Sequence, residues 1–223
     1  MSVVLILGKR GSGKSFRLRS LLESESRFLL YNTLGEPEYS RFETVGSFPE
    51  LVRALKTPRT FLRLNYIWDG RLEREADFEY VCQAAYETGK LTFAVDEVDT
   101  YCAPNFLPRH LDRIVSLGRH RDINFWCATR RPKEIPPLIR AQATRVVSFV
   151  QHEAADIEWC RQVMGDDAFT LPNLGRYKAL DWQDGQVSSP QKEDVSGAGG
   201  HDLPEQKPAL DTPTSPKVES SGL

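Results

Sequence analysis

A glycine-rich segment close to the first residue constrains the fold of this chain more than any other feature. Residues 8–15 read Gly-Lys-Arg-Gly-Ser-Gly-Lys-Ser and match the phosphate-binding loop (P-loop) pattern G-x-x-x-x-G-K-[ST]. The preceding residues 3–7 are continuously apolar, as a buried parallel strand should be, and residues 16–22 carry apolar side chains at helical spacing. Phosphate binding requires this order of strand, loop and helix, and the alternative is a chance glycine-rich turn.

The loop provides the candidate nucleotide site. Its glycines allow the backbone to curl so that successive N–H groups point at a polyphosphate, and the dipole of the following helix favours negative charge. We expect Lys14 to reach the β- and γ-phosphates and the Ser15 hydroxyl to bind Mg²⁺. The residues expected to contact the nucleotide are Gly8, Lys9, Arg10, Gly11, Ser12, Gly13, Lys14, Ser15 and Phe16.

A second signal is the segment 91–97, Leu-Thr-Phe-Ala-Val-Asp-Glu, a predicted apolar strand that carries the adjacent acids Asp96 and Glu97 at its carboxyl end. We expect Asp96 to hold Mg²⁺, directly or through water. Glu97 points in another direction because successive strand residues alternate, and we expect it to polarise a water for attack on the γ-phosphate. The alternative is a strand that happens to end in acids at a turn. The nearby Asp99 is expected to be solvated or to cap a helix.

A third candidate lies at the end of the predicted strand 123–129. If the sheet is parallel, Thr129 sits at its carboxyl edge beside the nucleotide, where its hydroxyl could sense the γ-phosphate. Arg130 is a second candidate for that role. The alternative is an ordinary threonine at the end of a strand.

Composition separates the body of the chain from its last forty residues. The whole chain has a formal charge of -2, but residues 184–223 carry seven acids and three lysines, so the remainder has a net charge of +2. Residues 184–223 are also rich in Pro, Gly and Ser and contain no aromatic residue, which predicts disorder. We therefore expect a globular domain at 1–183 and an acidic tail at 184–223, the tail being a docking segment or a solvating extension.

The spacing of the cysteines and the lengths of the apolar runs indicate in which compartment the protein is found. The four cysteines are widely spaced without a C-x-x-C pair, so we expect neither a disulfide framework nor a zinc site. The first residues lead straight into the first strand, which leaves no room for a signal peptide. No apolar run approaches the roughly 18 residues of a membrane span. We expect a soluble, cytoplasmic protein without a membrane segment of its own.

The remaining pattern alternates strands and helices. Segment 34–46 is expected to be a loop, and Ser47 with Glu50 matches a capping box at the start of a helix. Further strands are predicted at 27–32, 60–66, 144–150 and 177–182, and further helices at 72–88, 108–118, 136–143 and 153–164. This order implies an α/β fold with a doubly wound, mostly parallel sheet flanked by helices, and right-handed crossovers then bring the three candidate segments to one edge.

The motifs favour one class of nucleotide-binding protein. A small-molecule kinase needs an acceptor site and usually an arginine-rich lid, and neither is evident in the sequence. A GTPase needs an N-K-x-D segment to recognise guanine, and this sequence has none. The adjacent Asp96 and Glu97 fit attack by water better than transfer to an acceptor. Of the classes considered, this leaves an NTPase that couples hydrolysis to mechanical work.

Four segments together resemble the HerA/FtsK superfamily of DNA-pumping ATPases, which has a P-loop NTPase fold of the RecA/FtsK type. These are the P-loop, residues 93–97 (Phe-Ala-Val-Asp-Glu), residues 118–124 (Gly-Arg-His-Arg-Asp-Ile-Asn) and residues 128–136 (Ala-Thr-Arg-Arg-Pro-Lys-Glu-Ile-Pro). In size, the chain is most similar to the small single-domain members, the genome-packaging ATPases of membrane-containing icosahedral viruses. The resemblance covers about residues 1–182.

The resemblance implies two further site assignments. In the superfamily an arginine ahead of the strand that follows the acidic pair acts in trans on the neighbouring subunit's nucleotide, and Arg119 matches this position best, with Arg121 next. The alternative for Arg119 is an arginine facing a helix end. The superfamily commonly has Thr-Gln where this chain has Thr129-Arg130, so either Arg130 replaces the glutamine or Thr129 acts alone.

The implied function is an ATP-hydrolysing motor that translocates double-stranded DNA into a preformed viral capsid. It implies ATP and Mg²⁺ as cofactors, a homo-oligomeric ring (pentamer or hexamer), capsid or vertex proteins as partners, and a place in the host cytoplasm or the virion. Arg59, Arg63, Arg71 and Arg74 are candidates for DNA contacts, or form a solvated helix face. The alternatives are an assembly or secretion ATPase of the zonula-occludens-toxin type and a nucleotide-dependent scaffold.

Overall fold

The computed structural model describes residues 1–188, and the secondary structure within them alternates between strands and helices. The strands are β1 (Val3–Leu7), β2 (Arg27–Asn32), β3 (Glu43–Val45), β4 (Leu62–Tyr66), β5 (Leu91–Asp96), β6 (Ile123–Thr129), β7 (Arg145–Ser148), β8 (Leu180–Gln183) and β9 (Gln186–Ser188). The helices are α1 (Lys14–Leu22), α2 (Phe48–Lys56), α3 (Arg74–Thr88), α4 (Arg109–Leu117), α5 (Pro137–Ala141) and α6 (Ala154–Met164).

The strands form one sheet in the order β3–β4–β2–β5–β6–β1–β7–β8–β9. Neighbours from β3 to β7 pair in parallel, whereas the pairs β7–β8 and β8–β9 are antiparallel. This arrangement confirms the predicted doubly wound, mostly parallel sheet. None of the helices within residues 1–188 has the length and apolar character needed to cross a bilayer.

The central strands are apolar throughout because both faces of the sheet are covered. In β1, Val3, Leu5 and Leu7 belong to the core on one face, which also contains buried residues of α3, α4 and α6. Val4 and Ile6 face the opposite way and pack with Leu18 and Leu22 of α1. Alternation along the strand thus supplies two cores, and the helix that follows the P-loop is held by the smaller one.

The strand registers determine which loops lie together. Leu7 of β1 pairs with Thr129 of β6 on one side and with Ser148 of β7 on the other, and Asn32 of β2 pairs with Asp96 of β5. The carboxyl ends of these five strands therefore share one edge of the sheet. The P-loop, the acidic pair and Thr129 all start from that edge, where ligands bind in open α/β sheets.

The structure differs from the sequence-based expectation between residues 34 and 46. This segment is not simply a loop, because it contains a short 3-10 helix, Pro37–Tyr39, and the edge strand β3. Three residues are too few to show a strand period, and β3 forms because Glu43 to Val45 can pair in parallel with β4. Tertiary pairing, rather than local preference, creates this strand.

The capping box predicted at the start of α2 forms only in part. The side chain of Ser47 makes no capping hydrogen bond, although its backbone is extended as expected of the residue before a helix. Glu50 does accept a backbone hydrogen bond, but from the N–H of Gly46, at 3.2 Å, rather than from that of Ser47. Pro49 at the start of α2 has no N–H to be satisfied, which reduces the need for the serine.

The last described element extends past the boundary expected at residue 183. Strand β9 pairs with β8 through a two-residue turn, Asp184-Gly185, in which both residues have positive φ, 51° and 82°. Asp-Gly is a strong sequence signal for such a hairpin turn, and sequence reasoning had overlooked it. The rest of the predicted tail, 189–223, lies outside the described residues.

Candidate nucleotide site

The P-loop has the curled backbone that its glycines predict. Gly11 and Gly13 have φ values of 74° and 108°, and Gly13 precedes the first residue of α1. The Gly8 N–H donates to the carbonyl of Thr129 at 3.2 Å, which fixes the start of the loop to β6. A Cβ atom at Gly8 would lie 2.6 Å from Ser12 Oγ and 2.8 Å from Phe149 Cβ, so a side chain at this position would displace the loop.

Lys14 is buried at the centre of the site. Its ammonium group donates to the carbonyl of Lys9 at 3.3 Å, across the loop. Burial lowers the pKa of Lys14, whereas the nearby carboxylates of Asp96, Glu97 and Asp99 act in the opposite direction. The structure therefore brings the P-loop lysine and the acidic pair to the same carboxyl edge of the sheet, close enough for their charges to interact.

Asp96 is held by groups from three different segments. The Tyr39 hydroxyl donates to Asp96 Oδ2 at 2.8 Å, and the Thr33 hydroxyl donates to the Asp96 backbone carbonyl. Burial raises the pKa of Asp96, and hydrogen bonds from Tyr39 and Ser15 and the charge of Lys14 partly offset this increase. The carboxylate is thus positioned by Tyr39 and has the Ser15 hydroxyl beside it.

The surroundings of Asp96 fit a divalent cation. Its Oδ1 atom is buried and has no hydrogen-bond partner within residues 1–188, which is costly unless something else satisfies it. A carboxylate and a hydroxyl are hard oxygen ligands, and Mg²⁺ usually takes only one or two from the protein and the others from phosphates and water. Ser15 and Asp96 are therefore the residues that would hold Mg²⁺.

Tyr39 and Glu36 are site residues that sequence reasoning missed. Both lie in the segment expected to be a loop, and Tyr39 is fully buried there. Burial raises the pKa of Glu36, as do the charges of Glu38, Asp96 and Glu97, whereas Arg10 of the P-loop lowers it. The edge of the site is therefore more acidic than the sequence motifs indicated. A buried tyrosine within an otherwise polar loop carries no local pattern that would have predicted its role.

Glu97 has an unusual backbone conformation. It follows β5 with φ 56° and ψ 56°, in the left-handed region that residues other than glycine rarely adopt. The residue is half-buried, and its charge acts on Lys14. Strained backbone of this kind persists only where the surrounding structure enforces it, and it is concentrated at functional sites. The turn directs Glu97 away from the orientation that a continuing strand would have given it.

Asp99 is not the solvated or capping residue that the sequence suggested. Its side chain is only 3% exposed and accepts a hydrogen bond from Arg130 Nε at 2.8 Å. The pKa of Arg130 is raised by this hydrogen bond, and Glu134 lies 3.8 Å from its guanidinium. These charges lie together because β5 and β6 are neighbouring strands, and the distance between the residues in the sequence gives no sign of the pairing. Arg130, the second candidate for the sensor, is thus engaged by two carboxylates.

Thr129 lies beside the first residue of the P-loop, as its register with Leu7 requires. It is fully buried, and its hydroxyl donates to the carbonyl of Arg131 over a long distance of 3.4 Å. So weak a hydrogen bond can be exchanged for a phosphate oxygen at little cost. Thr129 therefore lies at the carboxyl edge as predicted, and its role as a sensor stays a prediction.

The other P-loop side chains are distributed over surface and interior. Lys9 and Arg10 are exposed, whereas the hydroxyl of Ser12 is buried and has no hydrogen-bond partner in the described part of the chain. Phe16 is half-buried, and the guanidinium of Arg19 lies 4.4 Å from the centre of its ring. Phe16 therefore packs along α1 against Arg19, and its contact with a nucleotide stays a prediction.

The two candidate trans-acting arginines do not reach the P-loop of their own chain. They precede β6, whose other end contacts the loop, so the seven-residue strand separates them from it by about 20 Å. Arg121 donates to the backbone carbonyls of Tyr86 and Glu87 at the end of α3. Arg119 is exposed, and its side chain contacts the ring of His120 at 3.3 Å. Of the two, Arg121 therefore has the clearer structural task.

The arginine group proposed for DNA contacts is largely engaged within the chain. Arg59 pairs with Glu43 at 2.6 Å, Arg63 donates to backbone carbonyls after α1, and Arg74 donates to the carbonyl of Thr33. Arg71 is the exposed member and lies 3.3 Å from Asp69. These contacts join edge strands and loops, so most of the group has a structural explanation.

Comparison with known proteins depends on structure, because no protein-family model and no curated protein matches the sequence. The genome-packaging NTPase B204 of Sulfolobus turreted icosahedral virus 2, solved with AMPPCP, is similar over 84% of this chain and 95% of its own, with a TM-score of 0.68 and 17% identity. B204 of Sulfolobus turreted icosahedral virus, a DNA-packaging ATPase, is also similar over 84% of this chain and 95% of its own, with a TM-score of 0.65 and 18% identity.

A third solved structure extends the comparison. The conjugation coupling protein TcpA of pCW3, solved with ATPγS, matches over 83% of this chain and 58% of its own, with a TM-score of 0.52 and 15% identity. The chain has the fold of a P-loop ATPase. These neighbours support the α/β fold that the sequence pattern had predicted. Identities this low establish the P-loop ATPase fold, and the chemistry has to be argued from the site.

Proposed function

We propose that this chain is an ATP-hydrolysing motor that translocates double-stranded DNA and packages a viral genome into a preformed capsid. The observation that carries the proposal is the shared carboxyl edge of the sheet, where the P-loop follows β1 and the acidic pair follows β5, so that the charges of Asp96 and Glu97 act on Lys14. The P-loop ATPase fold supports it, since the solved chains with the higher TM-scores are genome-packaging proteins.

The residues at this edge of the sheet have different roles in the proposed hydrolysis. The P-loop backbone, residues 8–16, cradles the phosphates of ATP, and Lys14 exchanges its hydrogen bond to Lys9 for the β- and γ-phosphates. Ser15 and Asp96 would hold Mg²⁺, and the ion would neutralise charge on the phosphates. Glu97, fixed by its strained backbone, accepts a proton from the attacking water.

Two further residues complete the proposed reaction. Thr129 exchanges its weak hydrogen bond to Arg131 for the γ-phosphate and so reports whether that group is present. Arg119 cannot act on its own subunit's nucleotide, because β6 separates it from the P-loop. In a homo-oligomeric ring it would supply positive charge to the neighbour's transition state, which makes hydrolysis depend on assembly.

The proposed partners follow from the motor function. Double-stranded DNA would contact basic side chains on the inner face of the ring through its phosphates, without recognition of base sequence. Capsid or vertex proteins would dock the ring at the particle, and the motor would work in the host cytoplasm or on the virion.

A DNA-dependent hydrolysis assay tests this function. We expect the full-length protein with Mg²⁺ to hydrolyse ATP, and linear double-stranded DNA to increase the turnover several-fold. The Lys14→Ala variant is the control for contaminating activity. Turnover that DNA leaves unchanged would favour the assembly or secretion ATPase, and nucleotide binding without turnover would favour the scaffold. Either of those results would contradict the motor.

A further inference from the structure

The direction of a bound nucleotide across the sheet can be worked out from the topology, given the proposed function, on which this inference rests. The γ-phosphate end must face Lys14, Asp96 and Glu97, and the two acids follow β5. The strand order from that point is β5–β6–β1–β7–β8, and the P-loop follows β1. A nucleotide whose phosphates lie in the loop with the γ-phosphate toward β5 therefore extends its base toward β7 and β8.

Two aromatic rings lie on that side of the P-loop. A Cβ atom added to Gly13, the last glycine of the loop, would lie 3.3 Å from Phe149 Cε1 and 3.3 Å from Tyr177 Cδ1. Phe149 follows β7 and is only 3% exposed, so it acts as a buried support beneath the loop. Tyr177 precedes β8 and is half-buried, so part of its surface remains available beside the loop.

A planar group already lies over the Tyr177 ring. The guanidinium of the exposed Arg176 is 4.7 Å from the ring centroid, at stacking distance. A nucleobase is also planar and stacks favourably on an aromatic side chain. Because Arg176 is long and solvent-exposed, its guanidinium can leave the ring at low cost when a base arrives.

The segment that carries the ring is held in place. Tyr177 has a positive φ of 63°, a costly conformation for an aromatic residue, within a turn closed by the Lys178 N–H and the Gly175 carbonyl at 3.1 Å. Beyond the turn, Asp181 of β8 pairs with Arg17 of α1 at 2.7 Å. The first turn of the P-loop helix is thus tied directly to the strand that follows Tyr177.

We infer that Tyr177 forms the base-binding subsite of this nucleotide site. The base stacks on the Tyr177 ring in place of the Arg176 guanidinium, while Phe149 supports the loop from below. Stacking on a single ring recognises the size of the base rather than its edge, so purine nucleotides bind more tightly than pyrimidine nucleotides. The phosphates contact the P-loop and not the ring, so the subsite contributes nothing to binding of a base-free polyphosphate.

Calorimetric titration with three probes separates these contributions. ATP, CTP and inorganic tripolyphosphate are titrated with Mg²⁺ into the full chain and into Tyr177→Ala and Tyr177→Phe. We expect Tyr177→Ala to weaken ATP binding about tenfold and to reduce the preference for ATP over CTP. Binding of tripolyphosphate should be unchanged, and Tyr177→Phe should restore ATP binding. Phe169→Ala, which removes another exposed aromatic ring, is the matched control and should change none of the three affinities.

Each other outcome has a distinct meaning. Equal weakening of ATP and tripolyphosphate by Tyr177→Ala would show that the ring only supports the P-loop, which overturns the base subsite and leaves the proposed function intact. An unchanged ATP affinity in Tyr177→Ala would also overturn the subsite. A wild-type chain that binds neither ATP nor tripolyphosphate would overturn the proposed function, and the subsite with it.

Discussion

At the residue scale, the conformation of Glu97 connects local strain to the proposed chemistry. A left-handed backbone costs a residue with a Cβ about 1–2 kcal/mol, and Glu97 bears that cost directly after a buried strand. A sequence selected for stability alone would favour glycine at this position. We interpret the glutamate as retained for its carboxylate, whose charge acts on Lys14 at the same edge of the sheet.

This interpretation predicts an uncommon result for a glycine substitution. Glu97→Gly should raise the free energy of unfolding by up to about 1 kcal/mol, because it relieves the positive φ, whereas Glu97→Gln should leave it nearly unchanged. Urea unfolding of both variants and the wild type measures the difference. If Glu97→Gly were the least stable of the three, contacts of the side chain, rather than strain, would dominate at this position.

The hydrogen bond from Tyr39 to Asp96 leads to a second prediction at this scale. Tyr39→Phe removes the hydroxyl that fixes Asp96 Oδ2 and keeps the buried ring, so the carboxylate should hold Mg²⁺ less well by about 1 kcal/mol. The Mg²⁺ concentration for half-maximal ATP hydrolysis should rise about fivefold, with a smaller change in the rate at saturating Mg²⁺. A lower rate at every Mg²⁺ concentration, with an unchanged midpoint, would contradict a positioning role.

At the scale of elements, the ion-paired Asp181 connects β8 to two other parts of the fold. Its carboxylate accepts hydrogen bonds from Arg17 of α1 and Arg145 of β7, at 2.7 and 2.8 Å. Burial opposes ionisation of Asp181, but Arg145 and Arg17 together outweigh it and lower its pKa. Strand β8 has only four residues, so its position depends on such contacts.

Replacing this carboxylate should therefore destabilise the fold in a pH-dependent way. Asp181→Asn should lower the free energy of unfolding by about 2 kcal/mol at pH 7. Because the pKa of Asp181 is lower in the folded than in the unfolded chain, the contribution is present above the ordinary value of 3.8 and is lost as the pH falls through the lowered value. Urea unfolding of both proteins from pH 7 to pH 3 should show the difference shrink, and a constant difference would contradict the ion-pair account.

The elements also show what a sequence can and cannot predict. The strands at 27–32 and 123–129 match the predicted ranges, since long apolar runs between turn residues leave little ambiguity. Strand β3 and the role of Tyr39 were missed, because both arise only when distant segments pack together. The pairing of Asp99 with Arg130 was missed for the same reason, as adjacent strand ends, rather than sequence spacing, bring them together.

At the scale of the whole molecule, the two ends of the sheet have different tasks. The carboxyl edge holds the P-loop, Asp96, Glu97 and Thr129, whereas Arg119 lies beyond the opposite end of β6. One copy of the chain therefore has the binding groups at its nucleotide site, but its own Arg119, the arginine that the HerA/FtsK resemblance implies, lies far from that site. The proposed ring resolves this separation, since a neighbour can present its amino edge to the carboxyl edge of the next subunit.

Mixing two inactive variants tests the trans arrangement. Arg119→Ala and Lys14→Ala should each hydrolyse ATP at less than about one hundredth of the wild-type rate when assayed alone. When they are mixed, some Arg119→Ala subunits, whose P-loops are intact, would adjoin Lys14→Ala subunits that still carry Arg119, and part of the activity should return. Exchange of subunits is verified with differently labelled copies. Exchange without any recovery would contradict action in trans.

The central claim is that Lys14, Asp96 and Glu97 form one ATP-hydrolysing centre, and phosphate release by the Glu97→Gln variant tests it most directly. The amide keeps the shape of the side chain but cannot accept the proton from water. We expect the full-length variant to bind ATP with Mg²⁺ as tightly as the wild type and to release phosphate at least about 100-fold more slowly, with or without double-stranded DNA. Phosphate release at the wild-type rate would contradict it.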